Sequence, residues 1–354
     1  MVRSLALVLV VALAPATAAT QVLEREVHLL VLPVLGYSPE TRLYAGGAVL
    51  RLSSSTAPGQ RPTLSTVDAI YSQNRQFAVT ASLSRWSRGN LWHVFGEAAA
   101  TRFPFDFYGI GAAAGDEAEQ YTPLTLSLGA GARRRIGPGW YLGGQVFGRE
   151  FRMLKTDSAG ALREGVLPGS ADHFVATVGA DISRDTRVEV FAPRAGSYVR
   201  VAAAVSSGAF GSDFDYRRLS LDARTYRSIS PRRVIAAQAA AEAVDGTAPF
   251  DLLSRLGGQV ILRGYQQARY SDNAKAAAQA ELRSHVFWRV GVAVFGGLAA
   301  VAPSADDLPD APWLAAGGAG LRFNVSQAEG LNLRLDLAWG RRGSALYIGG
   351  GDAF

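Results

Sequence analysis

The sequence predicts an all-β protein, a single transmembrane antiparallel β-barrel of about sixteen strands. Three observations carry that expectation. Segments of about ten to fourteen residues alternate apolar and polar, and Gly, Pro, Asn, Asp or Ser clusters separate them, as in membrane barrels. The composition is 48% hydrophobic and 19% charged, which is more apolar than a soluble domain needs. No long apolar helix follows residue 20. In LNLRLDLAW, Leu331, Leu333, Leu335, Leu337 and Trp339 share one face while Asn332, Arg334 and Asp336 share the other. A helical period would scatter those leucines around the circumference. The segment Leu219 to Thr225 repeats the pattern, with Ser220, Asp222 and Arg224 opposite Leu219, Leu221 and Ala223.

Along the chain, the apolar run Leu5 to Ala14 follows Arg3 and precedes Ala16-Thr17-Ala18. This is the layout of a signal peptide over residues 1–18, too short to anchor in a bilayer, which leaves residues 19–354 for the barrel. Strands are expected at Val27 to Tyr37, Arg42 to Ser53, Thr63 to Asn74, Gln76 to Ser87, Leu91 to Phe103 and Tyr121 to Ile136. Further strands follow at Trp140 to Met153, His173 to Ser183, Gly196 to Ser207, Asp215 to Ser228 and Arg232 to Val244. After an interruption come Ala274 to Val286, Arg289 to Val301, Trp313 to Val325, Leu331 to Gly340 and Ser344 to Phe354.

Composition also excludes several chemistries. Without cysteine, the chain forms no disulfide framework and no thiolate metal site. The histidines His28, His93, His173 and His285 fall in different expected strands without ligand spacing, so no metal or other cofactor is expected. Ser284 and His285 are strand neighbours that point to opposite faces, and no Ser/His pair suggests an enzyme. A net charge of +6 invites a nucleic-acid reading, but no RNP-like or zinc-finger spacing supports one. In an exported barrel those arginines turn toward lipid phosphates or the lumen. Gly109, Gly111 and Gly115 form GxGxxxG without a following amphipathic helix and read as a loop turn. The sequon at Asn324 falls inside a strand.

The interruption, Ile261 to Asn273 (ILRGYQQARYSDN), fits neither a lipid-facing strand nor a free surface loop. It reads as a connection folded back into the pore: Arg263 supplies a guanidinium, Gly264 a tight turn and Tyr265 a wedging ring. Arg263 then needs carboxylates, and Glu281 and Asp336 stand on the polar faces of later strands. With Arg283, Arg322 and Arg334 they form a charged inner stripe. Two readings stand side by side: a latch that fixes the segment, or a general ion-pair ladder in a wet lumen.

The Arg-Gly-aromatic tip with its downstream Glu281-Leu282-Arg283 resembles the BamA/TamA family of outer-membrane barrels, the bacterial surface antigens. Asp185 to Arg200, Pro33 to Gly47 and Phe107 to Gly111 resemble further family segments, and the likeness extends over nearly all of the chain after its leader. It implies a cell outer-membrane location and a sixth extracellular loop whose tip enters the lumen after eleven strands. It also implies a role in inserting or translocating protein or lipid. Outer-membrane lipid, lipopolysaccharide and the barrel-assembly machinery are the implied partners, Phe354 serving as a terminal aromatic assembly signal. The family's weak seam between first and last strands maps onto Pro33, which cannot donate to a ladder, and onto Gly349, Gly350 and Gly351. That seam is either a lateral gate or ordinary strand-end irregularity. Where the family carries an Asp after this motif, the chain has Gly297. No span resembles a periplasmic POTRA module, so a separate periplasmic partner is expected. The alternatives are a passive pore or structural barrel and, last, a lipid enzyme.

Overall fold

The computed structural model describes residues 25–38, 42–55, 59–187, 189, 192–326, 331–341 and 343–354, and the expected leader lies outside them. The strands are β1 (Arg25–Ser38), β2 (Arg42–Ser55), β3 (Thr63–Ser72), β4 (Phe77–Trp86), β5 (Trp92–Arg102), β6 (Phe105–Phe107) and β7 (Glu119–Gly137). They continue as β8 (Trp140–Thr156), β9 (His173–Asp185), β10 (Gly196–Ser206), β11 (Tyr216–Ser230), β12 (Arg233–Gly246), β13 (Ser254–Leu256) and β14 (Tyr270–Asp272). The last are β15 (Ala274–Phe287), β16 (Val290–Ala302), β17 (Leu314–Ser326), β18 (Leu331–Gly340) and β19 (Gly343–Gly350). Among the described residues, sixteen long strands and the short β6 make one antiparallel sheet, which closes between β19 and β1. Eleven long strands precede the 247–273 connection and five follow it, as the alternation predicts. The short β6, β13 and β14 had no signal, because three-residue ladders carry too little periodicity to read.

Burial runs opposite to that of a soluble domain. On β18, Arg334, Asp336 and Ala338 are buried while Leu335, Leu337 and Trp339 are exposed. Exposed Val49, Val67, Leu128, Val146 and Val294 continue the apolar exterior around the wall. Closure satisfies the backbone groups that hydrocarbon would leave unpaired. Long connections at 103–118, 157–172, 247–273 and 303–313 emerge at one end. At the other, tight turns such as 138–139, 231–232 and 288–289 join the strands. By the usual asymmetry of these barrels, the short-turn end is periplasmic.

The last strand differs from expectation. β19 stops at Gly350 instead of reaching Phe354. Strand parity explains why: Ala345, Tyr347 and Gly349 face inward, so a straight continuation would aim Asp352 at lipid. Gly351, at φ +74°, turns the chain inward. Asp352 then lies 3.0 Å from Arg283 and 3.4 Å from Arg322. Phe354 is buried beside Tyr226 and Ala236, inside the barrel and not at the end of a strand. The turn replaces a carboxylate in lipid with one among guanidinium groups. In Asp352→Asn, which removes the ion pairs with Arg283 and Arg322, amide exchange over residues 348–354 is expected to accelerate about tenfold, a loss of about 1.4 kcal/mol. Unchanged exchange would show that the ion pairs do not hold the turn.

Candidate functional site

The 247–273 connection is anchored first near its start. Phe250 packs on Phe107, Tyr121 and Phe151, and Asp251 meets Arg149 at 2.8 Å and His173 at 3.4 Å. Burial opposes the Asp251 charge, yet the Arg149 guanidinium and the nearby His173 ring hold its carboxyl below the usual value. Further on, Leu256, Leu262, Tyr265 and Tyr270 pack against inward Ala277, Ala299, Val301 and Leu314. The connection therefore carries its own apolar core against the wall of β15 to β17.

Arg263 is 2% exposed. Its Nη1 donates to Asp336 Oδ2 and its Nη2 to Glu281 Oε2, each at 2.6 Å. The Phe295 ring lies 3.4 Å beneath its guanidinium carbon. Arg322 spans the same two acids, at 2.5 Å to Asp336 and 3.1 Å to Glu281. Arg283 lies 3.0 Å from Glu281, and Arg334 lies 3.5 Å from Asp336 while donating to the Gln259 carbonyl. All the residues expected in the inner stripe thus meet in one network. Gly320 leaves it room, because a Cβ there would collide with Asp336 Oδ1. Gly297 has no space for a longer side chain, since a Cβ would stand 2.8 Å from that of Gln279.

Gly264 adopts φ +115°, and an added Cβ would lie 2.7 Å from the Trp339 carbonyl carbon. Its N–H donates to Tyr347 Oη at 3.2 Å, and Tyr347 in turn donates to the Tyr265 carbonyl. The Tyr265 hydroxyl donates to the Ala315 carbonyl and accepts from the Arg341 N–H. These bonds tie the Arg-Gly-Tyr tip to β17, to β19 and to the turn that follows β18.

A second attachment had no counterpart among the expected site residues. Tyr108 donates to Gln266 at 2.7 Å, Gln266 donates to Asp106 at 2.8 Å, and Arg269 donates to the Gly115 carbonyl. The Gly111 N–H donates to the Ser271 carbonyl. The Phe107 to Gly111 motif was visible in sequence, but nothing there indicated what it touches. At the seam, β1 pairs with β2 along its whole length, including Pro33↔Gly47. Across to β19 the described residues give one register pair, Tyr37↔Ile348. Gly349 and Gly350 still pair with β18, opposite Arg334 and Leu333.

Ser84 and His93 come together at 2.8 Å. His93 Nδ1 faces Arg133 Nη1 at 3.4 Å, which makes Nδ1 the acceptor and leaves the proton on Nε2. The imidazole then donates to Ser84 and cannot take its proton. No group of three potential metal-binding side chains occurs among the described residues.

A closed sixteen-strand barrel with an apolar exterior and a connection bound to its inner charged wall defines a bacterial outer-membrane barrel protein. Residues 62–354 match the model of the Omp85 superfamily domain. The chain belongs to that superfamily. Among solved structures it is similar to BamA from Haemophilus ducreyi lacking POTRA domains 1–3, with TM-score 0.61 and 15% identity over 93% of this chain and 70% of that one. CdiB from Acinetobacter baumannii gives TM-score 0.61 and 9% identity, covering 93% of this chain and 60% of that chain. CdiB from Escherichia coli gives 0.64 and 12%, covering 94% and 64%. The chain therefore spans less than two thirds of either CdiB chain, and at these identities the likeness is one of fold. No curated protein matches the sequence.

Gly264→Ala is expected to loosen the tip by about 1–3 kcal/mol through backbone strain and contact with Trp339. Hydrogen exchange at residues 262–266 should then rise roughly 5- to 150-fold. Wild-type exchange in the variant would show that the tip is not pressed against β18.

Proposed function

We propose that this barrel inserts or translocates a polypeptide or lipid at the outer membrane by opening between β1 and β19. The observation that carries this reading is the contrast at the seam. Among the described residues, every other long-strand junction pairs over many positions, whereas β1 and β19 meet at Tyr37↔Ile348. Unpaired edges in hydrocarbon are costly, so a seam this short is poised to separate or to accept another strand. The Arg263 network acts as a latch, keeping β15 to β19 in place while the seam moves. Phe354 contributes to assembly by the barrel-assembly machinery, and a separate periplasmic partner delivers the client. Lipopolysaccharide and phospholipid surround the wall, and no covalent chemistry is performed.

A second reading rests on the same connection. With Arg263, Tyr265 and Tyr270 buried, residues 247–273 plug a structural or passive barrel that handles no client.

Because the chain has no cysteine, Tyr37→Cys with Ile348→Cys places one disulfide across the register pair. Oxidation is expected to abolish client insertion in cells while heat-modifiable migration shows a folded barrel, and reduction should restore it. Full insertion by the locked barrel would exclude lateral opening, and client insertion by neither form would replace it with the passive reading. Deleting residues 257–268 should raise single-channel conductance in planar bilayers under either reading, and unchanged conductance would show that the connection does not obstruct the lumen.

A further inference from the structure

The short-turn end carries an exterior feature that neither the latch nor the seam uses. Trp92, Trp140 and Trp288 stand there and are 42%, 41% and 66% exposed. Each has a guanidinium above its ring. Arg134 lies 5.8 Å from the Trp92 centroid and Arg184 lies 5.8 Å from that of Trp140, each arginine being the register partner of its tryptophan on the next strand. Arg289 lies 5.7 Å from the Trp288 centroid, across the β15–β16 turn.

The parity of these positions is outward. Two residues further into the wall, on the same faces, come exposed Val94, Leu142 and Ile182. The indoles therefore sit where the apolar exterior ends. Arg85, Arg227 and Arg233 add exposed guanidinium groups to the same end. The 303–313 connection at the opposite end contains Asp306, Asp307 and Asp310 and no basic residue. Among the described residues, no carboxylate forms a salt bridge with Arg134 or Arg184.

We propose that this rim is a binding belt for anionic phospholipid. A guanidinium matches a phosphate with two parallel donors, and an indole beneath it stays at headgroup level with its ring toward the acyl chains. A soluble acidic protein would meet the arginines but would leave the three indoles and the aliphatic band beside them uncovered. Anionic lipid satisfies both at once, adding surface attraction to each arginine. The belt stands whether or not the seam opens.

The test compares the purified full chain in nanodiscs of phosphatidylcholine with nanodiscs containing one quarter phosphatidylglycerol. Lipids retained by the released protein are counted by native mass spectrometry. The retained ratio of phosphatidylglycerol to phosphatidylcholine should be about fivefold the bulk ratio, an effect of the size expected per basic residue at an anionic surface. Arg134→Gln, Arg184→Gln and Arg289→Gln together should abolish the enrichment. The single Arg184→Gln, read alongside, should lower it and keeps the test decisive if the triple variant fails to fold. Inorganic phosphate added in detergent should protect neither protein against heat. Equal retention of both lipids, unchanged enrichment in the variants, or equal protection by free phosphate would each overturn the proposal.

Discussion

Charge balance in the space between the 247–273 connection and β15 to β19 is the constraint on which the rest of the structure depends. Arg263, Arg283, Arg322 and Arg334 share Glu281, Asp336 and Asp352 there, nearly all of them out of contact with solvent. Burying such charges is costly unless each finds partners, and removing one partner of a buried pair typically costs about 3–5 kcal/mol. The three acids come from β15, β18 and the residues after β19, and the arginines from the connection, β15, β17 and β18. Barrel wall, connection and chain end are thereby held by one shared set of ion pairs.

That sharing links two places that look independent. Asp352 uses Arg283 and Arg322, which also hold Glu281 and Asp336, the partners of Arg263. The inward turn at Gly351 shortens β19 and so limits what β1 can pair with. The shortened last strand and one edge of the inner network both follow from where the Asp352 carboxylate is placed.

Much of this was legible in the sequence because barrel strands advertise a period of two. The run from Leu331 to Trp339 revealed both a strand and its inward residues, and Arg263 announced a need for carboxylates for which Glu281 and Asp336, on the polar faces of later strands, were the candidates. The course of the chain beyond Gly350 was not legible, since a terminal aromatic suggests a completed strand while the inward turn depends on Asp352 finding Arg283. The docking of Tyr108, Gln266 and Arg269 was hidden for a similar reason. Partners more than a hundred residues apart leave no periodic trace. Ser84 and His93, on adjacent strands, met through register alone.

The central claim is that Arg263 holds the connection against the wall, and limited proteolysis of Arg263→Ala tests it most directly. Cleavage within residues 247–273 should become markedly faster than in the wild type, with heat-modifiable migration shifted to lower temperature. Equal cleavage and unchanged migration would contradict the account, leaving the inner network as a lumen ladder that anchors nothing.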